Sequence, residues 1–231
     1  MRKLVERLLV VALFVGAGVA FCQGVFPTYS YRYRLTLKVE IDGKVRTGFS
    51  VIEVRFVGHP ELPGAGRFSP EVAGQAVFVD LAERGAIVAV LTAPNESDSR
   101  ISRFPEGVPA LWLAARAFGN QSTDNELPLL AQLSGYRELG PDNLPRLIWF
   151  SDVADPKTAR VIMPSDIPKI FGPSSRLLSA SVEITRDRIS IDIDKKLPWY
   201  ADLAKRQKLG RTVLHTGVFA LQWGMFIGGG S

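Results

Sequence analysis

A single cysteine in 231 residues, Cys22, leaves this chain without an intramolecular disulfide or a cysteine-built metal cluster. Histidine is as scarce, with only His59 and His215. A zinc site would need carboxylates to complete it, and neither histidine has the H-E-x-x-H spacing that sets two ligands on one helix face. His59 precedes Pro60 in a breaker-rich loop, and His215 sits in Val213-Leu214-His215-Thr216; both read as structural. Long runs of one charge are missing too. Lys+Arg total 28 against 23 Asp+Glu, a formal charge of +5 that is too mild to imply nucleic acid. The densest basic group, Lys205-Arg206-Gln207-Lys208, reads as a solvated helix face.

Motifs of covalent and phosphate chemistry are equally absent. No G-x-S-x-G occurs, since Leu133-Ser134-Gly135-Tyr136 lacks the first glycine, and no S-x-x-K replaces it. Pro63-Gly64-Ala65-Gly66-Arg67 has neither the Lys-Ser/Thr of a P-loop nor the third glycine of a dinucleotide fingerprint, so it reads as a turn. No cofactor is expected, and no catalytic or metal-binding residue is assigned.

What the chain does have stands at its start. Arg2, Lys3 and Arg7 lead into an apolar run from Leu8 to Phe21, followed by Cys22, Gln23 and Gly24. A basic segment, an apolar stretch and small residues in that order make a secretory signal, with Gly18 and Ala20 set for cleavage after Ala20. Read instead as an uncleaved anchor, the apolar stretch runs from Leu8 to Phe26, near the lower limit for crossing about 30 Å of hydrocarbon. Cys22 invites a lipoprotein reading, but Phe21 stands where lipidation signals carry a small residue. Residues 1–26 are therefore a signal peptide or an N-terminal membrane anchor, and residues 27–231 form one exported domain. Its location is periplasmic or at the membrane surface, the basic end staying in the cytoplasm. Without residues 1–20 the formal charge falls to +3, and about 200 residues bury enough surface to be stable without staples.

The rest reads as a β-rich α+β domain with antiparallel hairpins at both ends and short helices between. From Tyr31 to Ile41, aromatic or aliphatic residues alternate with polar ones, the period of a half-buried strand. Asp42-Gly43 turns the chain, and Thr47 to Val57 returns. Tyr29, Tyr31 and Tyr33 then face the core, with Arg32 and Arg34 outside. Gly58 to Gly74 reads as a loop. Gln75 to Asp80, Ala86 to Leu91, Arg146 to Phe150 and Ala159 to Met163 read as strands. Pro109 to Phe118 is a helix with Val108, Leu111, Trp112, Ala115 and Phe118 on one stripe. Shorter helical pieces are expected at Glu126 to Leu133, at Ser165 to Gly172, and from Leu197 to Lys208. A second hairpin joins the strand of Leu178, Ala180, Val182 and Ile184 to one of Ile189, Ile191 and Ile193. A final strand places Phe219, Leu221, Trp223, Met225 and Ile227 on one face.

Carboxylates are the only candidates for chemistry. Asp192 and Asp194, two apart on the expected strand, share a face and suit a cation or acid-base work, or simply a solvated surface balanced by Lys195 and Lys196. Asp152 and Asp155 lie in a loop, where aspartate commonly closes Asx-turns; the glycine and terminal glutamate of a calcium loop are missing.

Tyr31-Arg32-Tyr33-Arg34-Leu35-Thr36, the Phe171-Gly172-Pro173 turn and Leu197-Pro198-Trp199 together resemble an uncharacterised, mostly proteobacterial family with an N-terminal hydrophobic segment. The resemblance implies bacterial origin and carries no activity, ligand or site residue. The expected role is a non-enzymatic envelope protein with a protein partner and possible membrane association through residues 8–26. An enzyme working through the scattered carboxylates is the alternative, with any small-molecule ligand unknown.

Overall fold

The computed structural model describes residues 26–60, 66–92, 107–120, 123–208, 213–215, 220–222 and 225–228, with no side chain described between 206 and 224. The expected first hairpin is the centre of the fold. Strands β1 (Thr28–Ile41) and β2 (Lys44–Gly58) pair antiparallel over their full length. Asp42 and Gly43 both take positive φ, 50° and 73°, which matches the twist of the strands they join. The odd residues of β1 from Tyr31 to Ile41 are all buried, while Arg32, Arg34 and Lys38 lie on the opposite face.

β3 (Phe68–Gln75) runs back along β2, so the segment read as a loop is half strand. Pro70, which argued against a strand, is tolerated because β12 (Ile227–Gly228) reaches only Gly74 and Gln75 on the far side of β3. On the other flank β1 pairs with β9 (Arg176–Ile184), and β9 pairs with the short β6 (Tyr136–Glu138), a strand without a signal in the sequence. The six-stranded antiparallel sheet thus runs β12-β3-β2-β1-β9-β6.

At Gln75–Ala76 the chain passes from the first sheet into a second, of order β4-β5-β7-β8. Its members are β4 (Val77–Asp80), β5 (Ala86–Ala89), β7 (Leu147–Phe150) and β8 (Ala159–Ile162), all antiparallel and all expected. The inner faces of the two sheets enclose one core, in which Tyr33, Leu35, Leu37, Ile52, Val54, Val77, Val79 and Ile87 are buried. Helix α1 (Ala110–Ala117) belongs to the same core. It buries Ala110, Leu113, Ala114 and Ala115; of the expected stripe Val108 and Ala115 are buried, while Leu111, Trp112 and Phe118 pack against the core only partly covered. Three alanines on the buried side let the backbone come close. The Tyr33 hydroxyl donates to the Ala110 carbonyl at 2.7 Å, and burial pushes that phenol well above its ordinary pKa. Tyr33→Phe is expected to cost about 1 kcal/mol in chemical denaturation, the worth of one buried hydrogen bond. A loss below about 0.3 kcal/mol would mean the bond is not made.

A second core covers the outer face of the small sheet. Val88, Val90, Ile148 and Phe150 pack with Ile193, Leu197, Trp199, Tyr200, Leu203, Met225 and Phe226. The covering residues come from α4 (Ile193–Lys196), α5 (Tyr200–Lys208), the segment between them that holds Leu197 and Trp199, and the chain before β12. Short helices α2 (Leu127–Leu130) and α3 (Ile167–Phe171) occur as expected, α3 stopped by Gly172. The second hairpin does not form. β9 already has β1 on one side and β6 on the other, so no lane is left for a strand of Ile189, Ile191 and Ile193. Residues 185–192 instead cross the polar face of the large sheet: Arg34 pairs with Asp187 there, and Ser190 reaches the backbone of β2. The C-terminal stretch forms β10 (Val213–His215), β11 (Ala220–Gln222) and β12 in place of one strand, with Met225 and Phe226 in a buried turn. Phe219 and Trp223 lie outside the described residues.

Candidate functional site

Charged and polar side chains converge where β3 leaves the large sheet. A cleft of about 280 Å³ is lined there by Thr47, Gly48 and Phe49 of β2, Gln75, Phe78, and Ser190 to Asp192 with Lys196. Gln75 is almost wholly buried, and both ends of its amide are used. Its Oε1 accepts from the Ile193 N–H at 2.7 Å, and its Nε2 donates to Asp192 Oδ1 at 2.5 Å. The Gln75 carbonyl in turn accepts from the Ser50 hydroxyl at 2.7 Å. Lys196, one helical turn beyond Asp192, donates to the same carboxylate at 3.2 Å and rests over the Phe78 ring. Donation from Gln75, followed by Lys196, holds the Asp192 carboxyl below the usual aspartate range. A carboxylate so held accepts hydrogen bonds; it does not deliver a proton near neutrality.

The structure corrects the surroundings of this aspartate. Asp192 and Asp194 do not share a strand face: Asp192 precedes the single turn of α4, and Asp194 is exposed on it. With no lane left beside β9 for a strand, Ile193 is instead buried in the second core from the turn of α4. Asp152 and Asp155 are engaged inside their own loop. Asp152 Oδ1 accepts from the Ala154 N–H at 2.8 Å and Asp155 Oδ1 from the Lys157 N–H at 2.9 Å, the Asx-turns expected of them. The two pairs are not brought together, and among the described residues no three His, Cys, Asp or Glu stand close enough to hold a metal. His59 sits in its loop with Nδ1 3.1 Å from the Pro60 carbonyl, whereas Cys22, residues 61–65 and the His215 side chain lie outside the described residues.

Gln75 is the residue that sequence reasoning missed. It lies 117 positions from Asp192, and its one local signal is a long amide between Gly74 and Ala76 at the point where the chain changes sheets. A larger cleft of about 360 Å³ lies between Gly107, Leu144 to Leu147 and Val161 to Pro164, with the buried Arg146 in its wall. No known protein family matches the chain, and no curated protein or solved structure is similar to it.

Proposed function

We propose that this is a bacterial cell-envelope protein, carried across the cytoplasmic membrane or held at it by residues 8–26, whose domain works by binding a protein partner. The observation that carries the reading is the order of basic residues, apolar run and small residues at the N-terminus. The binding half rests on sheet surface left without a neighbour among the described residues: β6 is a three-residue edge strand with Tyr136 exposed, and Phe49 and Val45 are more than half exposed on β2. Among the described residues no helix is long and apolar enough to cross a membrane, so a tether would rest on the segment before residue 27.

Fusing the C-terminus to alkaline phosphatase, active only outside the cytoplasm, and separately to a cytoplasm-dependent fluorescent protein tests the location. Strong phosphatase activity with weak fluorescence is expected, and the reverse pattern refutes export. Purified protein should hydrolyse nothing in a panel of ester, phosphate and glycoside substrates; reproducible turnover would favour the carboxylate enzyme instead.

A further inference from the structure

β2 has an open lane beside it. Along an antiparallel strand, alternate residues direct N–H and C=O to opposite neighbours. Gly58 donates to the Pro27 carbonyl, which fixes the even residues of β2 as those bonded to β1. The odd residues face the other way. His59 donates to Arg67, and Val57, Arg55 and Glu53 stand opposite Ser69, Glu71 and Ala73 of β3. β3 then departs through Gly74 and Gln75 into the second sheet. Val51 is met instead by Ser190, whose N–H donates to the Val51 carbonyl and whose Oγ accepts from the Val51 N–H, each at 3.0 Å. Beyond Val51 the edge has no further partner among the described residues: Phe49, Thr47 and Val45 point N–H and C=O into the lane, and no described strand pairs there. β4 passes underneath, close against Gly48, so Gln75 and Phe78 floor the lane and Ser190 to Asp192 close one end.

We infer that an extended segment of a partner protein adds to β2 along Val45–Phe49, continuing the lane that β3 and Ser190 begin. Five residues at about 3.3 Å each give a strand long enough for several main-chain bonds. Apolar surface waits at its sides, with Val45, Phe49 and Ile191 exposed by 58%, 56% and 70%. The partner's chemistry follows from charge. Lys38, opposite Thr47, and Lys44 and Arg46 on β2 itself have no ion pair among the described residues, whereas Asp42 is held by Arg84 and Asp192 by Lys196. Glu83 is the one carboxylate without a described ion pair in the cleft that Lys44 and Arg46 line, so the lane is flanked by a net positive charge and fits an acidic segment rich in β-branched residues. This deepens the binding half of the proposed function and does not depend on the location.

Hydrogen exchange followed residue by residue by NMR on the full chain in detergent micelles tests it, with the blocked peptide Glu-Val-Glu-Val-Glu-Val-Glu as probe. In the free protein the amides of Val45, Thr47 and Phe49 exchange much faster than those of Gly48 and Ser50, and peptide at millimolar concentration slows Thr47 and Phe49 by about tenfold or more. The same peptide with lysine for glutamate leaves them unchanged. Thr47→Pro removes one lane donor without breaking a bond of the free protein, so its melting temperature is expected to hold while peptide affinity falls about tenfold. Slow exchange at Thr47 and Phe49 without peptide overturns the inference: independent of protein concentration it means the chain fills its own lane, and dependent on it, that a second copy does. Unchanged exchange with peptide overturns it as well, and leaves the result of the fusion experiment on location untouched.

Discussion

Gly48→Val is expected to destabilise the domain by about 3 kcal/mol or more, the upper range for forcing bulk into a packed interior. At Gly48 the two sheets touch backbone to backbone. A β-carbon built there would lie 2.2 Å from the Phe78 carbonyl oxygen and 2.9 Å from a methyl of Val79. Both neighbours belong to β4, itself held between β2 and β5, so neither moves without opening the seam between the layers. Gly48→Ala carries most of the same clash and should lie between parent and valine variant. Urea denaturation checks this through a lower midpoint at unchanged slope. An alanine variant within about 0.5 kcal/mol of the parent would mean that β4 does not cross β2 at this point.

Gln75→Leu is expected to cost about 2–3 kcal/mol, because it leaves the Ile193 N–H buried without an acceptor and withdraws a donor from Asp192. Asp192→Asn keeps the bond to Ile193 and should cost clearly less. The two variants separate the structural amide from the charge it holds. Acid sharpens the distinction. Since the Asp192 carboxyl is held below its ordinary value in the folded protein, its contribution is present above the unfolded pKa of about 3.9 and is lost as pH falls through the folded value. The gap between parent and Gln75→Leu should therefore narrow on acidification, whereas the part due to the Ile193 amide persists. A gap that widens in acid would show that Asp192 is not stabilised by Gln75.

These residues also mark where the sequence was legible. β1 and β2 could be read because strict alternation and an Asp-Gly turn are local signals, and their burial follows the pattern position by position. The four strands of the small sheet were legible as short apolar runs bounded by breakers. β3 was not, because Pro70 and its neighbours carry no alternation, and the strand exists through pairing with β2. Residues 189–193 failed for the opposite reason. Their alternation is real, but the lane it requires is taken by β6, a strand of three exposed residues with almost no signal. The candidate site was half legible. Asp192 and its balance by Lys196 could be read locally, while Gln75 reaches the carboxylate only through the folded crossing. The open lane was illegible altogether, since a gap in a sheet is a property of strand order.

The most direct measurement is the intact mass of the protein recovered from separated cytoplasmic, periplasmic and membrane fractions of a bacterial host. An envelope protein is expected either as a soluble periplasmic species lacking residues 1–20, marking a cleaved signal, or as the full-length chain in the membrane fraction, marking an anchor. Full-length protein that is soluble in the cytoplasmic fraction would contradict export and tethering alike.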